Sequence, residues 1–142
     1  MTTAEIIEQF SNLKIEDSDD YENLERIDEL TDRLRQNPDG HLACKEMINL
    51  LERHPEVDFG SPGEPIHTLE FFKGNYEDFL FDSLNRRPTQ MTVWMYNRII
   101  NIQSGNERKK MIEHLKSYID HPLADVEAVQ SAKNFYKYQT GE

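Results

Sequence analysis

Arg87-Pro88-Thr89-Gln90-Met91-Thr92-Val93-Trp94-Met95-Tyr96-Asn97-Arg98-Ile99-Ile100-Asn101-Ile102 is the stretch on which the fold turns. Pro88 lacks the N–H that a helix running through it would need, and Thr89 is placed to cap the next helix with its hydroxyl. Val93, Trp94, Asn97, Ile100 and Asn101 then fall on one face at helical spacing, while Met91, Met95, Ile99 and Ile102 add apolar side chains off that face. A helix that is apolar nearly all round is buried on several sides. The spacing therefore predicts a central helix that carries the only Trp of the chain, with weaker amphipathic helices packed on either side.

Those neighbours can be read in both directions. Upstream, Thr2 and Glu5 have the spacing of a capping box and open a short helix through Phe10. From Asp19, Tyr21, Leu24, Ile27, Leu30 and Leu34 recur at helical spacing up to the turn Asn37-Pro38-Asp39-Gly40. A third helix runs to about Arg53 with Leu42, Ala43, Met47, Leu50 and Leu51 as its stripe, and the short turn predicts an antiparallel hairpin with the second. The irregular segment from His54 to Pro65 holds three prolines and two glycines. A fourth helix follows with Ile66, Leu69, Phe71 and Phe72, then a fifth from about Asn75 to Arg86 with Tyr76, Phe79, Leu80 and Leu84 inward.

Downstream, Ser104-Gly105-Asn106 breaks the chain. A seventh helix uses Met111, Ile112, Leu115, Tyr118 and Ile119, and an eighth runs to Tyr138 with Val126, Val129, Ala132, Phe135 and Tyr136 on a face. No strand pattern is visible. The reading is an all-α fold, one helical domain over residues 1–142, with about eight short helices packed as antiparallel pairs or as an orthogonal bundle.

At 142 residues the chain can bury a core without disulfides, and its one cysteine, Cys44, allows none within the chain. Cys44 lies inside a helical pattern and reads as a small packing residue, which fits a reduced, cytoplasmic protein. Met1 to Glu5 has no basic start, no apolar run follows, and nothing approaches the length of a membrane span. The net charge of −11 is unevenly placed. Residues 1–71 hold 18 acids against 6 bases, and residues 72–142 hold 9 acids against 10 bases. Such a field repels nucleic-acid backbones and membrane surfaces and speeds encounter with a basic partner.

No residue pattern points to a reaction. His54, Asp58, Glu64 and His67 surround the irregular segment, but their spacing matches no closed metal motif, so no metal or other cofactor is expected. His54 before Pro55 reads instead as a helix end meeting its last carbonyls, His121 before Pro122 repeats that arrangement, and His67 reads as a hydrogen-bonding core residue. Ser61 stands in Gly60-Ser61-Pro62-Gly63 without the strand-to-helix elbow that gives a nucleophilic serine its meaning. Arg98, one turn beyond Trp94, reads as a buried or half-buried partner for an acid such as Glu70. Asn97 and Asn101 read as satisfying backbone groups at loop ends.

The acidic stretch from Glu16 to Asp32 is the strongest functional candidate. It holds Glu16, Asp17, Asp19, Asp20, Glu22, Glu25, Asp28, Glu29 and Asp32 against Arg26 alone. A solubilising helix face is the bland alternative. Concentration favours the sharper reading, because crowded like charges cost stability and a basic partner relieves them.

Two segments carry a resemblance. Phe59-Gly60-Ser61-Pro62-Gly63-Glu64-Pro65-Ile66-His67-Thr68-Leu69-Glu70, followed by Arg87-Pro88-Thr89 and Thr92-Val93-Trp94-Met95-Tyr96-Asn97-Arg98-Ile99-Ile100-Asn101, resembles a family of small helical bacterial immunity proteins of polymorphic or contact-dependent toxin systems. It covers roughly residues 42–138 and leaves the acidic run outside. The resemblance implies a HEAT-like helical fold and a protein that binds and silences a cognate toxin, for example a nuclease with a basic cleft. Joined to the charge pattern, it predicts a partner-binding surface of Asp19, Asp20, Glu22, Glu25, Asp28, Glu29, Asp32, Asp58 and Glu64. Trp94, Arg98, Asn101 and Glu70 are then structural. A helical adaptor for a non-toxin protein partner is the alternative that the same residues permit.

Overall fold

The computed structural model describes residues 1–60 and 62–141. Among them lie eight α-helices, one short 3-10 helix and no strand. They are α1 (Thr3–Asn12), α2 (Tyr21–Gln36), the 3-10 helix Gly40–Ala43, α3 (Cys44–Arg53), α4 (Glu64–Phe71), α5 (Glu77–Arg86), α6 (Gln90–Asn101), α7 (Gly105–Ile119) and α8 (Val126–Thr140). The chain forms two compact units that divide within α5, one comprising Met1–Phe79 and the other beginning at Leu80. The division also separates charge. Residues 1–79 hold 20 acids against 7 bases, and residues 80–142 hold 7 acids against 9 bases.

In the first unit the expected capping box opens α1, with the Glu5 N–H donating to Thr2 Oγ1 at 3.1 Å and the Thr2 N–H donating to Glu5 Oε1 at 3.0 Å. α1 and α2 run antiparallel. At one end Thr3 Oγ1 donates to Asp39 and accepts from Asn37, and at the other Arg26 donates twice to Gln9 Oε1. Between them Ile6, Phe10, Ile27, Leu30 and Leu34 are buried, and α3 and α4 add Met47, Ile48, Leu50, Leu51, Ile66 and Leu69. Each such side chain contributes about 1.5–3 kcal/mol when withdrawn from water.

The turn at Asn37-Pro38-Asp39-Gly40 does not produce the expected hairpin of α2 with α3. α2 makes its main packing on α4, and α3 packs on α1, because the chain passes through the 3-10 helix before α3 begins. Gly40 is required there. A Cβ on it would lie 1.9 Å from the Leu34 carbonyl oxygen and 2.9 Å from the Phe72 ring.

Several side chains expected inward face solvent. Tyr21, 70% exposed, instead donates its hydroxyl to Asp19, and Leu42 and Phe71 are each 60% exposed. The core stripe of α2 begins only at Ile27, because Asp20 caps the helix and its first turn carries no buried residue. Cys44 is buried beside Met47 and Ile48 in α3, as a packing residue should be, and burial pushes its thiol up to about 12.

In the second unit Thr89 caps α6 as expected, and a reciprocal bond from the Thr89 N–H to Thr92 Oγ1 closes the box. Thr92, Val93, Met95, Tyr96, Asn97, Ile99 and Ile100 are buried, so α6 is covered around more than half of its circumference. The uncovered strip is not where the sequence pattern puts it. Trp94 is half-buried and Asn101 exposed, since Tyr96, Met95 and Ile99 claim the interior. Tyr96 donates its hydroxyl to the Met111 carbonyl at 2.8 Å and meets Phe81 and Tyr118 edge-on. α7 and α8 are antiparallel, with Arg108 near the start of α7 donating to Gln139 near the end of α8 at 2.7 Å. Val126 opens α8 beside its cap Asp125 and lies off the packed face, 82% exposed.

Candidate acidic interaction surface

The helix that carries most of the candidate residues is amphipathic in the ordinary sense. Ile27, Leu30, Thr31 and Leu34 form its buried side, and Glu22, Glu25, Glu29 and Asp32 fall on the opposite side, with Asp28 at the edge. Asp20 begins the helix. Its carboxylate accepts from the Asn23 side chain at 2.8 Å, the Glu16 N–H at 3.1 Å and the Asn23 N–H at 3.4 Å, and these bonds hold its pKa below the usual aspartate range. Asp19 accepts from the Tyr21 hydroxyl at 3.1 Å. Both are tied into the helix start.

Three of the remaining acids have a cation. Arg26 reaches Glu29 at 3.0 Å, and Arg35 reaches Asp32 at 3.5 Å and Glu64 at 3.0 Å. Glu22 and Glu25 make no ion pair or hydrogen bond among the described residues. Asp28 has its pKa raised, first by partial removal from water and then by the charges of Glu64 and Glu25, against the opposing pull of Arg35. The outward face of α2 is thus left with more negative charge than its own cations neutralise.

The loop acids join this face by different routes. Glu64 stands at the start of α4 and is brought to α2 by Arg35, whose Nη1 also donates to Thr68 Oγ1 at 2.6 Å. Asp58 lies beyond the other end of α2, where its N–H donates to Ser18 Oγ at 2.9 Å and its carboxylate accepts from the Gly60 N–H at 2.9 Å. All nine candidate residues therefore belong to the first unit. Arg35 is the residue the sequence reading missed. Its only visible signal was a cation three residues after Asp32 at the end of the helix.

The histidines do not converge. His54 is buried, with Nδ1 directed at the Leu50 carbonyl at 3.0 Å and Nε2 accepting the Ile15 N–H at 3.1 Å, so both ring nitrogens serve backbone groups. It ends α3 as expected. His67 is exposed on α4 rather than buried in the core. His121 follows the end of α7, where its N–H donates to the Tyr118 carbonyl at 3.4 Å, while its ring bonds the Asn85 carbonyl of α5 at 2.8 Å. No group of three or more potential metal ligands occurs among the described residues. Ser61 lies outside the described residues.

The residues expected to be structural are placed as follows. Arg98 is exposed, and its guanidinium lies 4.9 Å from the centroid of the Trp94 ring. Arg98 is therefore not buried as expected, and Glu70 on α4 is half-buried. Asn97 and Asn101 both accept from the side-chain amide of Gln139, at 2.7 and 2.8 Å, rather than serving loop backbone.

Fold and surface together define an all-helical chain whose first unit bears a strongly acidic outer face, and no described helix is long and apolar enough to cross a membrane. Comparison of the chain with protein-family models, curated proteins and solved structures finds no match.

Proposed function

We propose that this chain is an immunity protein, acting in the cytoplasm without catalysis by binding a cognate toxin and covering a basic surface on it. One observation carries the reading. Glu22, Glu25 and Asp28 stand on the outward face of α2 without cations sufficient to balance them, although Arg26 and Arg35 already take up Glu29, Asp32 and Glu64. Crowded charge of one sign destabilises a free helix and steers an oppositely charged protein onto it. A nuclease cleft built for phosphates is such a surface. The α2 carboxylates would occupy it in place of the substrate backbone.

The test is co-expression with the product of the adjacent gene. Replacing Glu22, Glu25, Asp28 and Glu29 by lysine should slow association about tenfold or more at low ionic strength and abolish protection of cells. Protection and association rates that survive all four replacements would remove the surface from the mechanism.

A further inference from the structure

The outward side of α4 continues the acidic face of α2 and changes its character. Glu64, His67 and Phe71 recur at three and four residues, so they share one side of the helix, and Thr68 adjoins them. Arg35 bonds both Glu64 and Thr68, which places this side directly against the end of α2 that carries Asp32. One turn beyond Thr68 stands Phe71, 60% exposed. A phenylalanine on the solvent side of a helix whose buried side is Pro65, Ile66, Thr68 and Leu69 is not explained by packing.

Its ring is nevertheless held. Phe71 meets Phe72 edge-on at 5.2 Å, and the half-buried Phe72 also meets the His41 ring edge-on at 6.5 Å. The tight approach of Gly40 to Phe72 fixes that second ring in turn. A supported, exposed aromatic ring loses little freedom on binding, which is the property of interface anchors. The charge on the same surface decides the occupant: Glu64 stands two turns before Phe71 on α4 and lies close enough to Asp28 on α2 for their charges to interact, which favours a protein presenting cations near an apolar socket.

We infer that the Glu64, His67 and Phe71 side of α4 and the acidic face of α2 form one docking surface for a basic protein, with Phe71 as its apolar anchor. This rests on the reading of the acidic face given above. The two parts act on different rates. The acids speed arrival, and the ring slows departure.

Two probes separate the parts: a short oligolysine peptide, and a peptide of equal charge carrying an added Trp-Leu pair. Titrated into the full chain at low salt and followed by amide chemical shifts, both should perturb residues 22–32 and 64–71. The Trp-Leu peptide should bind tighter by about tenfold or more. Phe71→Ala should erase that advantage while leaving oligolysine binding unchanged, whereas Val126→Ala in the second unit should alter neither. An advantage that persists in Phe71→Ala, or shifts confined to other residues, would overturn the inference. If the peptides behave as expected but the adjacent gene product does not bind, the immunity reading fails while the surface stands. If that product binds with the same dissociation rate in Phe71→Ala, the anchor fails and the immunity reading stands.

Discussion

Arg35 at the end of α2 holds Glu64 at the start of α4 with an Nη1 to Oε2 distance of 3.0 Å, and the same nitrogen donates to Thr68. The pair is partly open to water, with side-chain exposures of 26% and 41%, so its ionic part contributes little. The hydrogen bond to buried Thr68 matters more. Arg35→Ala should therefore cost about 1–2 kcal/mol in urea unfolding, because it strands the Thr68 hydroxyl and frees Glu64 to repel Asp28. Glu64→Gln, which keeps the arginine in place, should cost less than half of that.

The His54 ring joins α3 to the chain before α2, receiving the Ile15 N–H and facing the Leu50 carbonyl. His54→Ala removes both partners from buried backbone groups. The expected loss is about 1–3 kcal/mol of stability, with hydrogen exchange at the Ile15 amide accelerating by more than the global loss explains. Equal acceleration across the whole first unit would show that the ring has no local role.

Asp28 supplies a pH dependence of definite sign. Its raised pKa means that the folded chain holds this proton more tightly than the unfolded chain does. Stability from this group is greatest below the ordinary aspartate range and declines as pH rises through the folded value. Asp28→Asn should therefore raise the melting temperature at neutral pH. The gain should vanish in acid, where the native carboxyl is protonated anyway. A gain that is independent of pH would assign the effect to helix propensity instead.

Gly40 tests the packing of the turn. A methyl group there would sit 1.9 Å from the Leu34 carbonyl oxygen, a backbone atom that cannot rotate away. Gly40→Ala should cost about 2 kcal/mol or more, against the small gain this change gives where space allows. Gly74→Ala is the comparison, since nothing lies within 4 Å of the added atom but φ is +98° there. Its cost should come from backbone conformation alone and be smaller.

The helices were legible because each is announced locally. Thr2 with Glu5, Thr89 before α6 and the proline and glycine punctuation at Asn37 to Gly40 act over a few residues, and the structure repeats them as caps and turns. The acidic side of α2 was equally open to reading, since it follows from the charges and the helical period. Which apolar residue goes inside was less so. On α6 the period admits Trp94 or Tyr96 as the buried aromatic, and the choice fell to Tyr96, whose hydroxyl finds the Met111 carbonyl and whose ring meets Phe81 and Tyr118. The burial of Arg98 was misread for a related reason. A guanidinium near an indole settles on its face, and spacing along one helix carries no information about how deeply that face is buried.

What the sequence determined by itself is the all-helical class, most helix boundaries and the sign and location of the charge, all of which depend on neighbours within one or two turns. Tertiary structure alone decided that α2 packs on α4 rather than on α3, that Arg35 draws Glu64 onto the acidic face, and that Phe71 is left outside while Phe72 closes over Gly40. Those outcomes depend on contacts between residues some thirty positions apart. Competition for a limited interior selects them, and no local pattern records which side chain wins.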